Sequence, residues 1–147
     1  MHKLKFLVVL VCAMLVFGAC VSPKVSLTAE EFTLIMEEAG HTVTDFTDLI
    51  GVTFLVAETE NFQVEFTVFD LEADAMRAYN QIQRYFEDGR GNSRSYRTMS
   101  GMNFNRFSKT TGGRFEAITR VGNTLVQIET SVGNRPEAQA ILELLRY

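Results

Sequence analysis

The chain has 147 residues, of which 46% are hydrophobic and 22% are charged, and its formal net charge at pH 7 is −4. This composition is that of a globular protein, and it excludes an intrinsically disordered chain and a collagen-like repeat. The length predicts a single domain, and the composition predicts no particular reaction.

The first residues have the pattern of a secretory signal. Lys3 and Lys5 precede the twelve apolar residues FLVVLVCAMLVF, and Gly18 and Ala19 follow them. A positive segment, a short apolar segment and small residues before a cleavage point are typical of an exported protein. The alternative is a permanent transmembrane helix, but the apolar run extends over only 16 residues, whereas a spanning helix needs about 20. We therefore expect residues 1–19 to be removed as a signal peptide.

Cys20 directly follows the two small residues. The stretch V-F-G-A-C that ends at Cys20 resembles the lipobox of bacterial lipoproteins, with Phe17 where that family usually has leucine. The resemblance implies that the Cys20 thiol receives a diacylglyceryl group and that Cys20 becomes the new N-terminus. Two acyl chains on one residue give a stable anchor, since one chain alone binds a membrane only marginally. The alternative is an ordinary export signal with a chance cysteine.

Residues 20–26 are predicted to form a short tether, and residues 27–147 a single globular domain. From Cys20 onward the chain carries 12 basic and 18 acidic residues, a net charge of −6, and no further cysteine. A disulfide within this part is therefore excluded, and the apolar core must stabilise the domain. A chain of this size buries about two-thirds of the surface that its unfolded form exposes.

The domain is predicted to begin with a helix over Leu27–Gly40. Thr28 and Glu31 form a capping box, and the apolar residues that follow recur at i, i+3, i+4 and i+7. Gly40 is suited to the position that ends a helix. Residues 41–48 are predicted as a short extended piece or a loop.

Two strands and a second helix are predicted next. Val52–Ala57 is apolar on both faces, which indicates a central strand. Phe62–Val68 alternates apolar and polar residues, which predicts one buried and one solvated face. The helix begins at Asp70 or Leu71 and runs to about Asp88, where a glycine-rich loop follows.

Four further strands and a last helix complete the predicted domain. Glycines separate the strands, which cover Arg94–Met99, Met102–Ser108, Arg114–Val121 and Thr124–Thr130. Pro136 opens the last helix, because proline is favourable in a first helical turn. The order is α-ββ-α-ββββ-α. Short, hairpin-linked strands predict an α+β fold with an antiparallel sheet of about five to six strands, packed by two to three helices.

A series of motifs extends over nearly the whole chain. It runs from the signal and Cys20 through T-A-E-E-F, E-E-A-G-H-T-V-T-D, V-E-F-T-V-F-D, E-A-D-A-M-R-A-Y and G-N-T-L-V to the closing I-L-E-L-L-R-Y. This order resembles small, uncharacterised lipoproteins of low-GC Gram-positive bacteria. The resemblance implies a lipid-anchored protein on the outer face of the cytoplasmic membrane, and it implies no reaction.

Few residues are suited to catalysis or metal binding. His41 is the single histidine after Cys20, so a Ser-His-Asp triad would need it as the base, and we favour a structural or surface role for it. Ligands for a Cys/His zinc site are lacking, and the calcium-loop pattern is absent. The G-R-G at 89–91 lacks the continuation of a nucleotide-binding fingerprint. We therefore expect no catalytic residue, no metal and no cofactor.

The charges are divided unevenly along the chain. Residues 20–83 carry a net charge of −10, whereas residues 84–120 carry +5, and seven of the eight bases in the second segment are arginine. Arginine favours bidentate contacts with carboxylates and phosphates. The functional interpretation is a surface for an anionic partner, formed by Arg90, Arg94, Arg97, Arg106 and Arg114. The alternative is that these arginines pair with the acidic half of the protein or protect strand edges against aggregation.

Three functions are open at this point. The first is a non-enzymatic, membrane-tethered binding or interaction domain outside the cytoplasmic membrane. Its partners would be the membrane, through the lipid anchor, and an envelope protein or an anionic wall polymer, while export and the net negative charge disfavour nucleic acid. The second is a small-molecule carrier or sensor with a cavity lined by phenylalanine and tyrosine. The third is an envelope enzyme that uses carboxylates and His41.

Overall fold

The computed structural model describes residues 23–88 and 95–147. In these ranges the helices and strands follow one another in the order α-β-α-ββ-α-ββββ-α. The helices in these ranges are α1 (Ala29–Glu38), α2 (Thr47–Ile50), α3 (Glu72–Asp88) and α4 (Arg135–Leu144). The strands in these ranges are β1 (Thr42–Asp45), β2 (Thr53–Glu58), β3 (Gln63–Val68), β4 (Ser95–Ser100), β5 (Phe104–Thr111), β6 (Arg114–Val121) and β7 (Thr124–Ser131). The predicted signal peptide, its transmembrane alternative, Cys20 and the glycine-rich loop after α3 lie outside the described residues.

Local features of the chain define both ends of α1, a capping box at the first and a glycine after the last. The Thr28 hydroxyl accepts the Glu31 backbone N–H at 3.2 Å, and the Glu31 carboxylate accepts the Thr28 N–H at 2.8 Å, so the predicted capping box is confirmed. At the other end Gly40 has a φ of 88°, the left-handed conformation that glycine adopts most readily after a helix. Phe32 and Met36 are buried, one helical turn apart on the same side.

The seven strands form one antiparallel sheet in the order β1-β2-β3-β7-β6-β5-β4. The predicted α+β class and the antiparallel arrangement are therefore confirmed, with seven strands and four α-helices in the described residues where five to six strands and two to three helices were expected. The additional strand, β1, lies in the segment 41–48 that was predicted as an extended piece or loop. Its sequence T-V-T-D carries one apolar residue, and backbone pairing with β2 makes it a strand.

One face of the sheet is covered by α1 and α4. Because side chains alternate across a strand, every second residue of the inner strands faces these two helices. Val64 on β3, Ile128 on β7 and Ala117 on β6 lie side by side in this layer. Together with the helix residues they form the larger of two clusters of buried residues. The chain end also belongs to it, since Tyr147 is 3% exposed and its hydroxyl is hydrogen-bonded to Thr124.

On the other face of the sheet, α3 covers the part formed by β5, β6 and β7. Tyr79 and Phe86 of this helix pack with Phe107, Ile118 and Leu125 of β5, β6 and β7. These strand residues alternate with those of the larger cluster, which places them on the opposite face. The domain therefore has three layers, helices on both sides of a sheet. Among the helices in the described ranges, none combines the length and apolarity needed to cross a bilayer.

Candidate functional site

Hydrogen bonds hold residues 24–27 against the domain. The Lys24 backbone N–H donates to the Asn103 side-chain oxygen at 3.0 Å, and the Asn103 side-chain N–H donates to the Lys24 carbonyl at 2.6 Å. The Leu27 N–H donates to the Tyr147 hydroxyl at 3.3 Å. Asn103 belongs to the turn between β4 and β5. The predicted tether, residues 20–26, is therefore attached to the domain from Lys24 onward.

The Lys24 ammonium group lies at the C-terminal end of α4. It donates to the Arg146 carbonyl at 2.9 Å and lies 5.1 Å from the centre of the Phe104 ring. A cation is favoured at the C-terminal end of a helix and over an aromatic face. Burial lowers the pKa of Lys24, and the positive charge of Arg106 lowers it further.

Lys24, Arg97 and Arg106 form what we call the basic surface. Arg106 on β5 lies opposite Met99 on β4, and Arg97, two residues before Met99, is on the same face of the sheet. Burial lowers the pKa of Arg106, the Glu143 carboxylate of α4 opposes this effect, and Arg97 adds to it. Three positive charges thus lie together, with Glu143 near Arg106 and Glu31 in the groove that Lys24 lines, and a bound anion would stabilise the charged forms of the three bases.

Exposed apolar side chains adjoin the basic surface. Met102 is 82% exposed in the β4–β5 turn, next to the residue that binds Lys24. Val25 is 86% exposed, and Met99, opposite Arg106, is 48% exposed. The basic surface is therefore bordered by apolar atoms in contact with solvent.

The structure separates Arg114 from the basic surface. Arg106 pairs with Thr119, so the odd-numbered residues of β6 share its face of the sheet, and Arg114 lies on the other face. There the Arg114 guanidinium donates to the Glu129 carboxylate at 2.7 Å. Arg114 is thus paired within the protein, although with a carboxylate of β7 and not with one of the acidic segment 20–83. Arg120 does contact a residue of that segment, Glu72, at 2.8 Å.

Arg97 and Arg106 are the predicted residues that the structure brings together. Two other predicted residues lie outside the described ranges, namely Arg90 and Arg94. The sequence prediction missed Lys24. The feature of the sequence that could have identified Lys24 is its position, since it is the only lysine or arginine in residues 20–76 and comes four residues after Cys20.

Carboxylates gather on the opposite face of the sheet, beside α3. Glu116 on β6 lies directly opposite Glu129 on β7, and Glu65 on β3, which pairs with Gln127, is a diagonal neighbour of Glu129. Burial raises the pKa of Glu65, and the charge of Glu129 raises it further. Within residues 23–88 and 95–147, no group of three His, Cys, Asp or Glu side chains is arranged to hold a metal ion.

Replacing Glu65 with glutamine is expected to raise the free energy of unfolding at neutral pH by about 0.2–1 kcal/mol, the usual effect of a cross-strand charge pair. The folded pKa of Glu65 is above the unfolded value, so the wild type loses stability as the pH rises from the unfolded pKa through the folded one. The gain in Glu65→Gln should therefore disappear as the pH falls to about 4. Urea unfolding at neutral pH and at pH about 4 measures the difference in free energy of unfolding between the variant and the wild type. Glu60→Gln, a substitution at an exposed turn residue, is the control. A gain of equal size at both pH values would contradict this assignment.

Asp45 and His41 have structural contacts of their own. The Asp45 carboxylate accepts the Thr47 N–H at 2.8 Å before α2, and hydrogen bonds from Thr47 lower the pKa of Asp45. The backbone N–H of His41 donates to the Met36 carbonyl at 3.0 Å, which completes the end of α1. These contacts give Asp45 and the backbone of His41 a role in the fold.

Aromatic residues considered for a ligand cavity fill the larger core cluster. The rings of Phe32 and Phe66 are stacked with their centres 4.5 Å apart, and Tyr147 meets Phe66 edge-on at 6.5 Å. Beside this cluster, a groove of about 500 Å³ follows the attached segment along α1 and α4, and Lys24 and Leu27 line it. The groove is a depression of the surface that opens to solvent.

Comparisons with known proteins do not assign this chain to a family. No family model matches it, and no curated protein matches it. Among solved structures, it is similar to a GTP-binding regulator from Thermotoga maritima, with 17% sequence identity, a TM-score of 0.44, and coverage of 84% of this chain and 86% of that one. Because this similarity is weak in both sequence and structure, no property of that protein is transferred to this chain.

Proposed function

We propose that the protein is a lipid-anchored, non-enzymatic interaction domain on the outer face of the cytoplasmic membrane. Cys20 is its anchor, and the basic surface is its binding site for an anionic partner. The observation that carries the proposal is the attachment of Lys24 to Asn103, because it joins the chain just after the anchor to the domain beside Arg106. The chain therefore meets the domain, four residues after the proposed anchor, next to the proposed binding site.

The sequence around Cys20 supports the anchor. Small residues precede this cysteine, and a short apolar segment with two lysines before it is suited to export. Each buried methylene contributes about 0.8 kcal/mol to membrane binding, and two acyl chains on one residue are sufficient for stable association. The protein is then retained at the membrane without a spanning helix.

The chemistry of the basic surface supports binding of an anion. Arg97 is exposed and Arg106 is half-buried, so both guanidinium groups are accessible to an anion, and that of Arg106 is also partly desolvated. Guanidinium groups make bidentate contacts with phosphates and carboxylates. Burial is the main cause of the lowered pKa values of Arg106 and Lys24, and an anion beside them would reduce the repulsion between positive charges that adds to it.

The anchor is tested by metabolic labelling with an alkyne fatty acid in a Gram-positive host. We expect the full-length wild type to carry the label and to sediment with membranes, whereas Cys20→Ser should carry none. Cys12→Ser is the matched control, because Cys12 is the only other cysteine of the chain and lies in the segment that is removed. An unlabelled wild type, or a labelled Cys20→Ser variant, would refute the proposal.

A further inference from the structure

We infer that the basic surface binds the anionic lipid headgroups of the same bilayer that holds the anchor. The domain then lies on the membrane in one orientation, with the β4–β5 turn and Met102 directed at the headgroups. This inference rests on the proposed lipid anchor and adds to it the partner of the basic surface. Three independent observations support the inferred orientation: the length of the tether, the position of the positive charges and the presence of exposed apolar side chains.

The tether is too short for the domain to turn freely. Lys24 is fixed to Asn103, and Cys20 is four residues away, a distance of at most about 14 Å at about 3.5 Å per residue. By contrast β5, with eight residues, is about 27 Å long. The anchor therefore holds the end of the sheet that carries the β4–β5 turn close to the bilayer.

The two ends of the sheet are clearly distinguished. The Gly122 N–H donates to the Asn103 carbonyl at 2.9 Å, so the β6–β7 turn lies at the same end as the β4–β5 turn. Because β3 runs antiparallel to β7, the β2–β3 turn with Glu60 lies at the opposite end. In the inferred orientation, Met102 is near the lipid and Glu60 is far from it.

The charge distribution favours this orientation over the reverse. The domain is negative overall, so an anionic membrane repels most of its surface. Lys24 and Arg106 lie near the tether and the β4–β5 turn, whereas Glu60 lies at the opposite end of the sheet. Each lysine or arginine near an anionic membrane strengthens the attraction by roughly fivefold, an effect that decays within a Debye length.

The exposed apolar side chains fit the boundary between headgroups and acyl chains. Met102 and Val25 are among the most exposed apolar residues of the described chain, and they are the chain neighbours of Asn103 and Lys24, which are hydrogen-bonded to each other. Methionine is flexible, and apolar side chains next to basic ones are typical of surfaces that bind at a membrane interface. Insertion of Met102 would remove its side chain from water.

The experiment measures the depth of two positions in vesicles that carry the mature, acylated protein, from which residues 1–19 and thus Cys12 have been removed. The thiol of Cys20 is blocked by its lipid, so Met102→Cys or Glu60→Cys provides the single free thiol for a fluorophore. The vesicles contain phosphatidylcholine with phosphatidylglycerol, or phosphatidylcholine alone, and a lipid-bound quencher. We expect strong quenching at position 102 and little at position 60, with the quenching at 102 weaker in vesicles of phosphatidylcholine alone.

Charge substitutions in the Met102→Cys background separate the basic surface from the anchor. Arg97→Gln with Arg106→Gln should lower the population of the bound orientation by roughly tenfold or more, because two charges near the surface are lost. Arg97→Gln alone, at an exposed position, should lower it several-fold without disturbing packing. Arg84→Gln on α3 removes the same charge from the other face of the sheet and should leave quenching unchanged.

The possible outcomes distinguish the two proposals. If the wild type does not float with the vesicles, the anchor is refuted and this inference with it. If it floats but positions 102 and 60 are quenched equally, or if the arginine substitutions have no effect, the anchor stands and the orientation is refuted. The same conclusion follows if the basic surface binds an anionic envelope polymer while position 102 stays unquenched in lipid vesicles.

Discussion

Replacing Arg120 with alanine is expected to lower the free energy of unfolding by about 3–5 kcal/mol, the usual cost of breaking a buried ionic network. The Arg120 side chain is 2% exposed and satisfies its donors within the protein. Its Nε and Nη2 atoms donate to the Asn105 side-chain oxygen at 3.0 and 2.8 Å, and Nη1 donates to the Glu72 carboxylate at 2.8 Å and to the Gly122 carbonyl at 2.7 Å. One side chain thus joins β5, the β6–β7 turn and the start of α3.

Urea unfolding followed by circular dichroism measures this effect. Arg97→Ala is the control, because Arg97 is exposed and its removal should change the free energy of unfolding by less than about 0.5 kcal/mol. Arg120→Lys keeps the charge but loses the planar fork of donors, so we expect a loss between those of the other two variants. If Arg120→Ala were no less stable than Arg97→Ala, the network would have no role in stability.

Replacing Phe66 with alanine is also expected to cost about 3–5 kcal/mol, as for other large residues in a packed core. Phe66 is fully buried at the centre of the larger cluster, stacked on Phe32 and in edge contact with Tyr147. The substitution removes a ring that contacts α1, the sheet and the chain end together, and the surrounding groups relax only partly into the space. Thermal and urea unfolding measure the loss.

The Phe66 substitution should also loosen the attached N-terminal segment. Tyr147 accepts the Leu27 N–H, so a Tyr147 ring that has lost its neighbour holds residues 24–27 less firmly. We expect faster amide hydrogen exchange at Leu27 in Phe66→Ala. Phe66→Leu keeps most of the volume and should cost less, and Leu71→Ala, at a residue that is 61% exposed, should change neither quantity appreciably. Similar losses for Phe66→Ala and Leu71→Ala would contradict this account.

Elements with strong local signals were predicted well from the sequence. The strand Arg114–Val121 coincides with β6, and Gly122 after it has the left-handed φ of 55° that the predicted hairpin needs. The capping box at Thr28 is present in full. These features depend on residues close to one another in the chain, so the residue types themselves contain the information.

Elements that depend on distant pairing were predicted less well. β5 begins at Phe104, later than the predicted Met102, because the Gly101 N–H donates to the Phe104 carbonyl and closes a turn around Met102. It also continues to Thr111, since pairing with β6 extends to Arg114. Likewise, the pairing of β3 with β7 at the centre of the sheet joins segments that are about sixty residues apart.

By itself, the sequence determined the α+β class, the antiparallel strands, the ends of α1 and the uneven distribution of charge along the chain. Only the tertiary structure decided which charges meet. Arg97 and Arg106 share a face with Lys24, whereas Arg114 binds Glu129 on the opposite face and Arg120 is buried against Glu72. The physical reason is the two-residue period of a strand, because a shift of one residue in register moves every side chain to the other face, and register is set by partners far away in the sequence.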